Sequence, residues 1–249
     1  MATNKEVAKK EEQLPVDPSV FDGMETGFEG TSVETFKTPF LKILQALSPE
    51  MKKTDPSFIE GAQQGQFCNT ATRELTDSVE VVVLKIEHVL VVWKPSRGGF
   101  VSRNPKGAED RLVANREGMK KWDAEGNEII DTIELFCLDI NNPSNVFIFP
   151  LSKASVKHGR TFATRLRTLR INGKPVPTFA GVWRIRTMED RNDKGAWFTI
   201  GGTPEYIRPI TSDELNNCVI PAREMLKKAE IDYSAVAGDH AEEDENVKY

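Results

Sequence analysis

The run VEVVVLKIEHVLVVWK, Val79 to Lys94, limits what this 249-residue chain can fold into more than any other stretch. It is dense in valine and isoleucine, whose branched side chains are stiff in a helix and pack well on a pleated surface. At sixteen residues it is longer than an ordinary strand, which predicts a bend, a bulge or an early hairpin within it. PSRGG ends it. A strand this long needs partners, and the sequence offers them. IELFCLDI (133–140) and NVFIFPL (145–151) flank the turn signal NNPS, and GVWRIRTM and AWFTIGG flank EDRNDKG. Each pair reads as a β-hairpin.

Helices are few. Phe40, Ile43, Leu44 and Leu47 in PFLKILQAL (39–47) fall at helical spacing behind Pro39, predicting a first helix. In IEGAQQGQFCNTATREL, glycines and Asn69 mark turns around a short strand. Residues 101–127 read as an extended loop with one helical piece. A helix is expected from about Ser155 to Ile171, and a last one from Thr211, where Thr211-x-x-Glu214 matches a capping box, to about Ala229. Pro221 should kink or restart it. The class is therefore α+β, mainly β, in one domain over residues 36–235. Residues 1–35 are polar and Glu/Lys-rich and read as a flexible arm, and residues 236–249 as an acidic tail.

Composition excludes several classes. No apolar run approaches the roughly 18 residues needed to span a bilayer, and the first twenty residues hold no secretory apolar core. The expected place is a reducing cytoplasm. Three widely spaced cysteines, an odd number, argue against a disulfide framework. Three histidines and no Cys-x-x-Cys leave little for zinc, and no cofactor is expected.

Charge is the functional signal. The chain has 33 bases against 38 acids, yet residues 140–188 contain no acid and nine bases, leaving a net of −14 for the rest. The nine are Lys153, Lys157, Arg160, Arg165, Arg167, Arg170, Lys174, Arg184 and Arg186. On a wheel of 100° per residue, Phe162, Leu166 and Leu169 form an apolar stripe about 60° wide, with Lys153, Lys157, Arg160 and Arg167 opposite within about 80°. Like charges at this spacing repel, and solvated faces ordinarily mix signs, so a polyanion partner is favoured over a bland surface. Strand alternation in VWRIR turns Trp183 and Ile185 one way and Arg184 and Arg186 the other. Trp197 and Phe198 on the partner strand lie on opposite faces, so one of them could flank these arginines. Trp93, Lys94, Arg97 and Phe100, around Gly98 and Gly99, offer further rings and cations. Bases beside aromatic platforms suit single-stranded nucleic acid, whose phosphates pair with cations while its bases stack.

A β-rich domain with a basic, aromatic-bearing surface, followed by the acidic run DHAEEDE and a terminal Tyr249, resembles bacteriophage single-stranded DNA-binding proteins of the OB-fold type. The likeness covers about residues 40–249. It implies an OB-like antiparallel barrel or sheet, largely sequence-independent binding in phage DNA replication or recombination, and a tail that mimics DNA and recruits replication proteins. No membrane partner is expected, and a homodimer is compatible with it. Two other classes stay open. A phage protein that binds and redirects a host polymerase or nuclease would use the same charges on an acidic protein. A metal-dependent nuclease would place two of Asp131, Glu134 and Asp139 on Mg²⁺, but PD…ExK, Gly-x-Ser-x-Gly, P-loop and His-Glu-x-x-His patterns are all missing. The expectation is a binding protein, not an enzyme.

Overall fold

The computed structural model describes residues 39–95, 98–193, 195–228, 231 and 233. The expected arm, Arg97 and the acidic tail lie outside the described residues. In chain order the first strands are β1 (Leu41–Ile43), β2 (Phe67–Asn69), β3 (Leu75–Thr76), β4 (Ser78–Trp93) and β5 (Phe100–Pro105). A short helix α1 (Glu109–Leu112) precedes β6 (Asn115–Glu117), β7 (Lys120–Trp122), β8 (Glu128–Asp139) and β9 (Val146–Ser152). Helix α2 (Val156–Thr168) leads into β10 (Arg170–Ile171), β11 (Lys174–Pro175), β12 (Gly181–Asn192), β13 (Gly195–Ile200) and β14 (Glu205–Pro209). The C-terminal helical segment is α3 (Ser212–Glu214), a π-helical turn at Leu215–Val219, and α4 (Ile220–Lys228).

The valine-rich run is the spine of a nine-stranded antiparallel sheet. One edge of β4 pairs with β8 along nearly its whole length, while the other pairs first with β12 and then with β5. Changing partners along one long strand curls the sheet into an OB-like half-barrel. Of the bend, bulge or early hairpin expected, the strand has a bulge, between Val83 and Lys85. Its effect is visible in the burial. Val81 and Val83 enter the core beneath α2, and Val82 and Leu84 enter the core beneath the C-terminal segment. Beyond the bulge the parity inverts, so that Val89, Val91 and Trp93 join the second core. One extra residue moves every following side chain to the other face.

Both faces are thus covered. Phe162 and Leu166 of α2, each fully buried, pack with Val81, Ile133, Leu135, Phe149, Trp183 and Ile185. Gly159 lets the helix sit close: a Cβ there would stand 3.2 Å and 3.3 Å from two Ile133 atoms and 3.0 Å from Leu151 Cδ1. On the far face, Val219, Ala222 and Tyr233 cover Val82, Phe136, Ile148 and Val182. Thr211 and Glu214 form the expected capping box. The π turn falls just before Pro221, which has no N–H to continue an α-helical ladder.

Two expectations fail. PFLKILQAL is a strand and turns, not a helix. Leu41, Lys42 and Ile43 pair with Asn69, Cys68 and Phe67, and Phe40 bridges Ile148. Four apolar residues over two turns do not separate helix from strand periodicity, and a nine-residue helix is marginal alone. Sheet pairing provides the missing stabilisation and buries Phe40, Leu41 and Leu44, leaving Leu47 exposed. Residues 101–127 also hold more structure than a loop. They supply β5, α1 and the β6–β7 hairpin, whose polar residues are used in ion pairs rather than in a core.

Candidate nucleic-acid interface

Helix α2 carries the core of the basic window as the wheel predicts. Lys157, Arg160 and Arg167 are exposed opposite buried Phe162 and Leu166, and Leu169 is half-buried. Lys153 departs from the wheel. It lies in a 3-10 turn ahead of the helix with φ 50° and is half-buried, so the helical phase does not reach it. Lys157 is bound to Asp190 at 3.1 Å. Arg165 is exposed, donates to the Pro204 carbonyl at 3.0 Å and stands 5.8 Å from the centre of the Trp183 ring. Arg170 donates to the backbone carbonyls of Leu169 (3.1 Å) and Arg167 (3.4 Å). Lys174 is exposed on the two-stranded β10–β11 ribbon that follows the helix. Arg160, Arg165, Arg167, Arg170 and Lys174 have no carboxylate partner among the described residues.

The window does not form one groove. Trp183 and Ile185 lie in the same core as Phe162 and Leu166, so Arg184 and Arg186 leave β12 on the face away from α2. Arg184 is also already neutralised. Its cross-strand neighbour Glu80 accepts from Nε (3.0 Å) and Nη2 (2.6 Å), and Glu205 from Nη1 (3.2 Å). Arg186 is exposed.

The aromatic candidates divide. Trp93 is only 4% exposed, packed against Phe100 and Tyr233, and cannot present a ring face to a base. The parity inversion past the bulge puts it in the core beneath the C-terminal segment, and Leu90 and Val92 on the other face are buried as well. Phe100 is half-buried and stacked on Tyr233 at 5.5 Å. Lys94 is exposed at the β4–β5 turn, its N–H closing that turn on the Gly99 carbonyl. Trp197 remains half-buried on β13 opposite Asp190. Cross-strand partners point to one side, so Trp197 stands on the side that Lys157 reaches. Its Nε1 is buried without an acceptor among the described residues.

Beside α2 lies a charge network that the sequence did not suggest. His88 on β4 faces Asp131 on β8, with Nε2 and Oδ1 3.2 Å apart. Lys106 also reaches Asp131 Oδ1 (2.5 Å), and Lys121 holds Oδ2. Glu109 binds Lys106, Lys121 (2.7 Å) and Arg116 (2.7 Å). Burial would raise the Asp131 carboxyl, but hydrogen bonds and charge from Lys106 and Lys121 outweigh it and bring it to about 2. Glu109 is likewise lowered to about 2, first by its bond to Lys106. His88 is pushed below the ordinary histidine range by burial and by the charges of Lys106 and Arg160, against the pull of Asp131. A sequence signal existed in Lys85, Glu87 and His88, a polar interruption midway along the valine-rich strand.

On the opposite face, Glu134 is wholly buried and bound by Arg103, whose Nε lies 2.8 Å and 3.1 Å from its oxygens, and by the Tyr233 hydroxyl. Of Asp131, Glu134 and Asp139, any two of which a nuclease would place on Mg²⁺, Asp131 and Glu134 therefore point to opposite faces and are each held by protein cations. Asp139 lies half-buried at the end of β8, its carboxyl raised by burial. Among the described residues no group of three or more His, Cys, Asp or Glu side chains is placed to hold a metal ion. No helix among them is long and apolar enough to cross a membrane.

A comparison with curated proteins gives no match. The family model described as Pam3 phage gp34-like protein matches residues 9–230, nearly the whole chain and all of the sheet and α2. The chain belongs to this family of phage proteins.

Proposed function

We propose that the protein binds single-stranded DNA with little sequence preference, in phage replication or recombination, through the outer face of α2 and the β10–β11 ribbon. The observation that carries this reading is the acid-free helix itself. Its apolar side is anchored in the core, while Arg160, Arg165, Arg167, Arg170 and Lys174 are exposed with no carboxylate partner among the described residues. A surface that served only solubility would be expected to pair such charges, as the protein does for Lys106, Lys121 and Arg184. Trp197, on the side that Lys157 reaches, is the ring best placed to stack on a base. Arg186 and Lys94, on other parts of the surface, are secondary contacts in this reading. The separation of Asp131 from Glu134 supports a binding role over a two-carboxylate nuclease.

The test is a fluorescence-anisotropy titration of labelled oligo-dT, with oligo-rU and duplex DNA as competitors, over a salt series. Five phosphate contacts give a slope of log K against log salt near −3 to −4, at about −0.7 per contact on a single strand. Affinity that stays flat between low and moderate salt would refute an electrostatic interface. Preference for duplex would refute the single-strand assignment.

A further inference from the structure

Helix α2 crosses the sheet at a defined point. Gly159 rests on Ile133, and Ile133 is the cross-strand partner of His88. Arg160 is the next residue on the helix, exposed, and its charge opposes protonation of the ring. Asp131 accepts from Lys106 and Lys121 on separate oxygens, and Glu109 from Lys106, Lys121 and Arg116. Two carboxylates thus face three network cations, and Arg160 makes four. With His88 neutral the site holds two uncompensated positive charges around a half-buried imidazole.

The tautomer of that imidazole follows from its partner. A carboxylate oxygen accepts only, so Nε2 carries the hydrogen donated to Asp131, and in the neutral ring Nδ1 holds a lone pair. That lone pair repels an anion. Protonation turns Nδ1 into a donor and adds a third positive charge. The reciprocal effect is required by linkage: an anion bound here favours the imidazolium.

We propose that His88 and Arg160 form a subsite for one phosphate group, and that it tightens as pH falls. The groups acting on His88 are Asp131 from β8, Lys106 from the segment after β5 and Arg160 from α2, with Lys121 from β7 and Glu109 behind them, bound to Asp131 and Lys106. Of these, only the two carboxylates oppose an anion, and both are held by lysines. The subsite deepens the single-strand reading, in which the phosphate is a backbone phosphodiester, although a free phosphate ion has the same chemistry.

The experiment is an NMR titration of the imidazole Cε1–H signals of the full chain, with His88 assigned by its loss in His88→Gln. It is run alone, with oligo-dT lacking terminal phosphates, and with inorganic phosphate, in wild type and in Arg160→Ala. The expected result is a rise of about half to one pH unit in the His88 midpoint on binding oligo-dT, reduced in Arg160→Ala. By reciprocity this corresponds to about three- to tenfold tighter binding to the protonated protein, at tenfold per unit. A rise with oligo-dT supports the subsite as a phosphodiester contact. A rise with inorganic phosphate alone supports the subsite and removes the single strand from it. A His88 midpoint unmoved by both probes overturns the subsite. If anisotropy still shows α2-dependent DNA binding in that case, the single-strand reading stands and the subsite alone has failed.

Discussion

Replacing Arg103 by methionine tests the buried charge arrangement beneath the C-terminal segment. Glu87 on β4 and Glu134 on β8 are direct cross-strand neighbours, a pairing that is unfavourable when both are charged. Arg103 on β5 resolves it by binding both, and the Tyr233 hydroxyl donates to Glu134 as well. Glu134 has no exposed surface, whereas the Arg103 side chain is 23% exposed and Glu87 keeps a second partner in Lys85 at 2.5 Å. Removing Arg103 leaves a buried carboxylate with one phenol, at a cost of about 3–5 kcal/mol for an uncompensated buried charge. Glu134→Gln keeps the shape and leaves Arg103 paired with Glu87, so its cost should be nearer the 1–3 kcal/mol of an imperfect buried hydrogen bond. Urea unfolding followed by circular dichroism at pH 7 measures both. Two variants within about 1 kcal/mol of each other would refute the reasoning.

Other outcomes follow from the same structure. Arg160, Arg167 and Lys174 changed together to alanine should shallow the salt dependence of DNA binding by about two units, at roughly −0.7 per contact, with the melting temperature nearly unchanged because all three are exposed. Leu166→Ala should instead cost about 2–5 kcal/mol in urea unfolding, since its side chain is fully buried between α2 and the sheet. Asp131, held at about 2 by Lys106 and Lys121, lends stability that is complete above its unfolded value near 4 and lost as pH falls through about 2. Acid unfolding of Asp131→Asn should show a shallower loss over that range. Deleting residues 239–249 removes five acids and one lysine. Under a competing tail this should tighten oligo-dT binding several-fold at low salt, with the gain fading as salt screens beyond about 8–10 Å.

The elements legible in the sequence were those whose patterns are local. The valine-rich run, the hairpin turns at NNPS and EDRNDKG, the α2 stripe and the Thr211 cap each depend on residues within a few positions of one another. The bulge was legible as a need, because sixteen residues exceed a usual strand, but its place was not. Trp93 reads as an open ring from its place beside the glycine turn, whereas both faces of that strand end are buried, Leu90 and Val92 on one and Val91 and Trp93 on the other. A bulge between Val83 and Lys85 inverts the parity of everything after it, so the orientation of Trp93 depends on an irregularity about ten residues earlier. PFLKILQAL failed for a different reason: its partners Phe67–Asn69 and Ile148 lie far along the chain, and pairing overrode a short and ambiguous periodicity.

The site was legible as charge and illegible as pairing. Composition shows nine bases without an acid among them, but an acid from elsewhere neutralises whichever base the fold brings to it. Glu80 is 104 residues from Arg184 and Asp190 is 33 from Lys157, so both bonds are invisible to any local window. The fold sorts the nine by distance from such acids. β12 turns Arg184 toward the face where Glu80 and Glu205 wait, while on α2 Asp190 reaches Lys157 and no carboxylate among the described residues pairs with Arg160 or Arg167. What survives this sorting is a shorter list than the sequence offers, most of it on α2 and the ribbon that follows, with Arg186 left on the other face. It also gains a residue that composition had passed over, since His88 has meaning only where a helix crosses a strand.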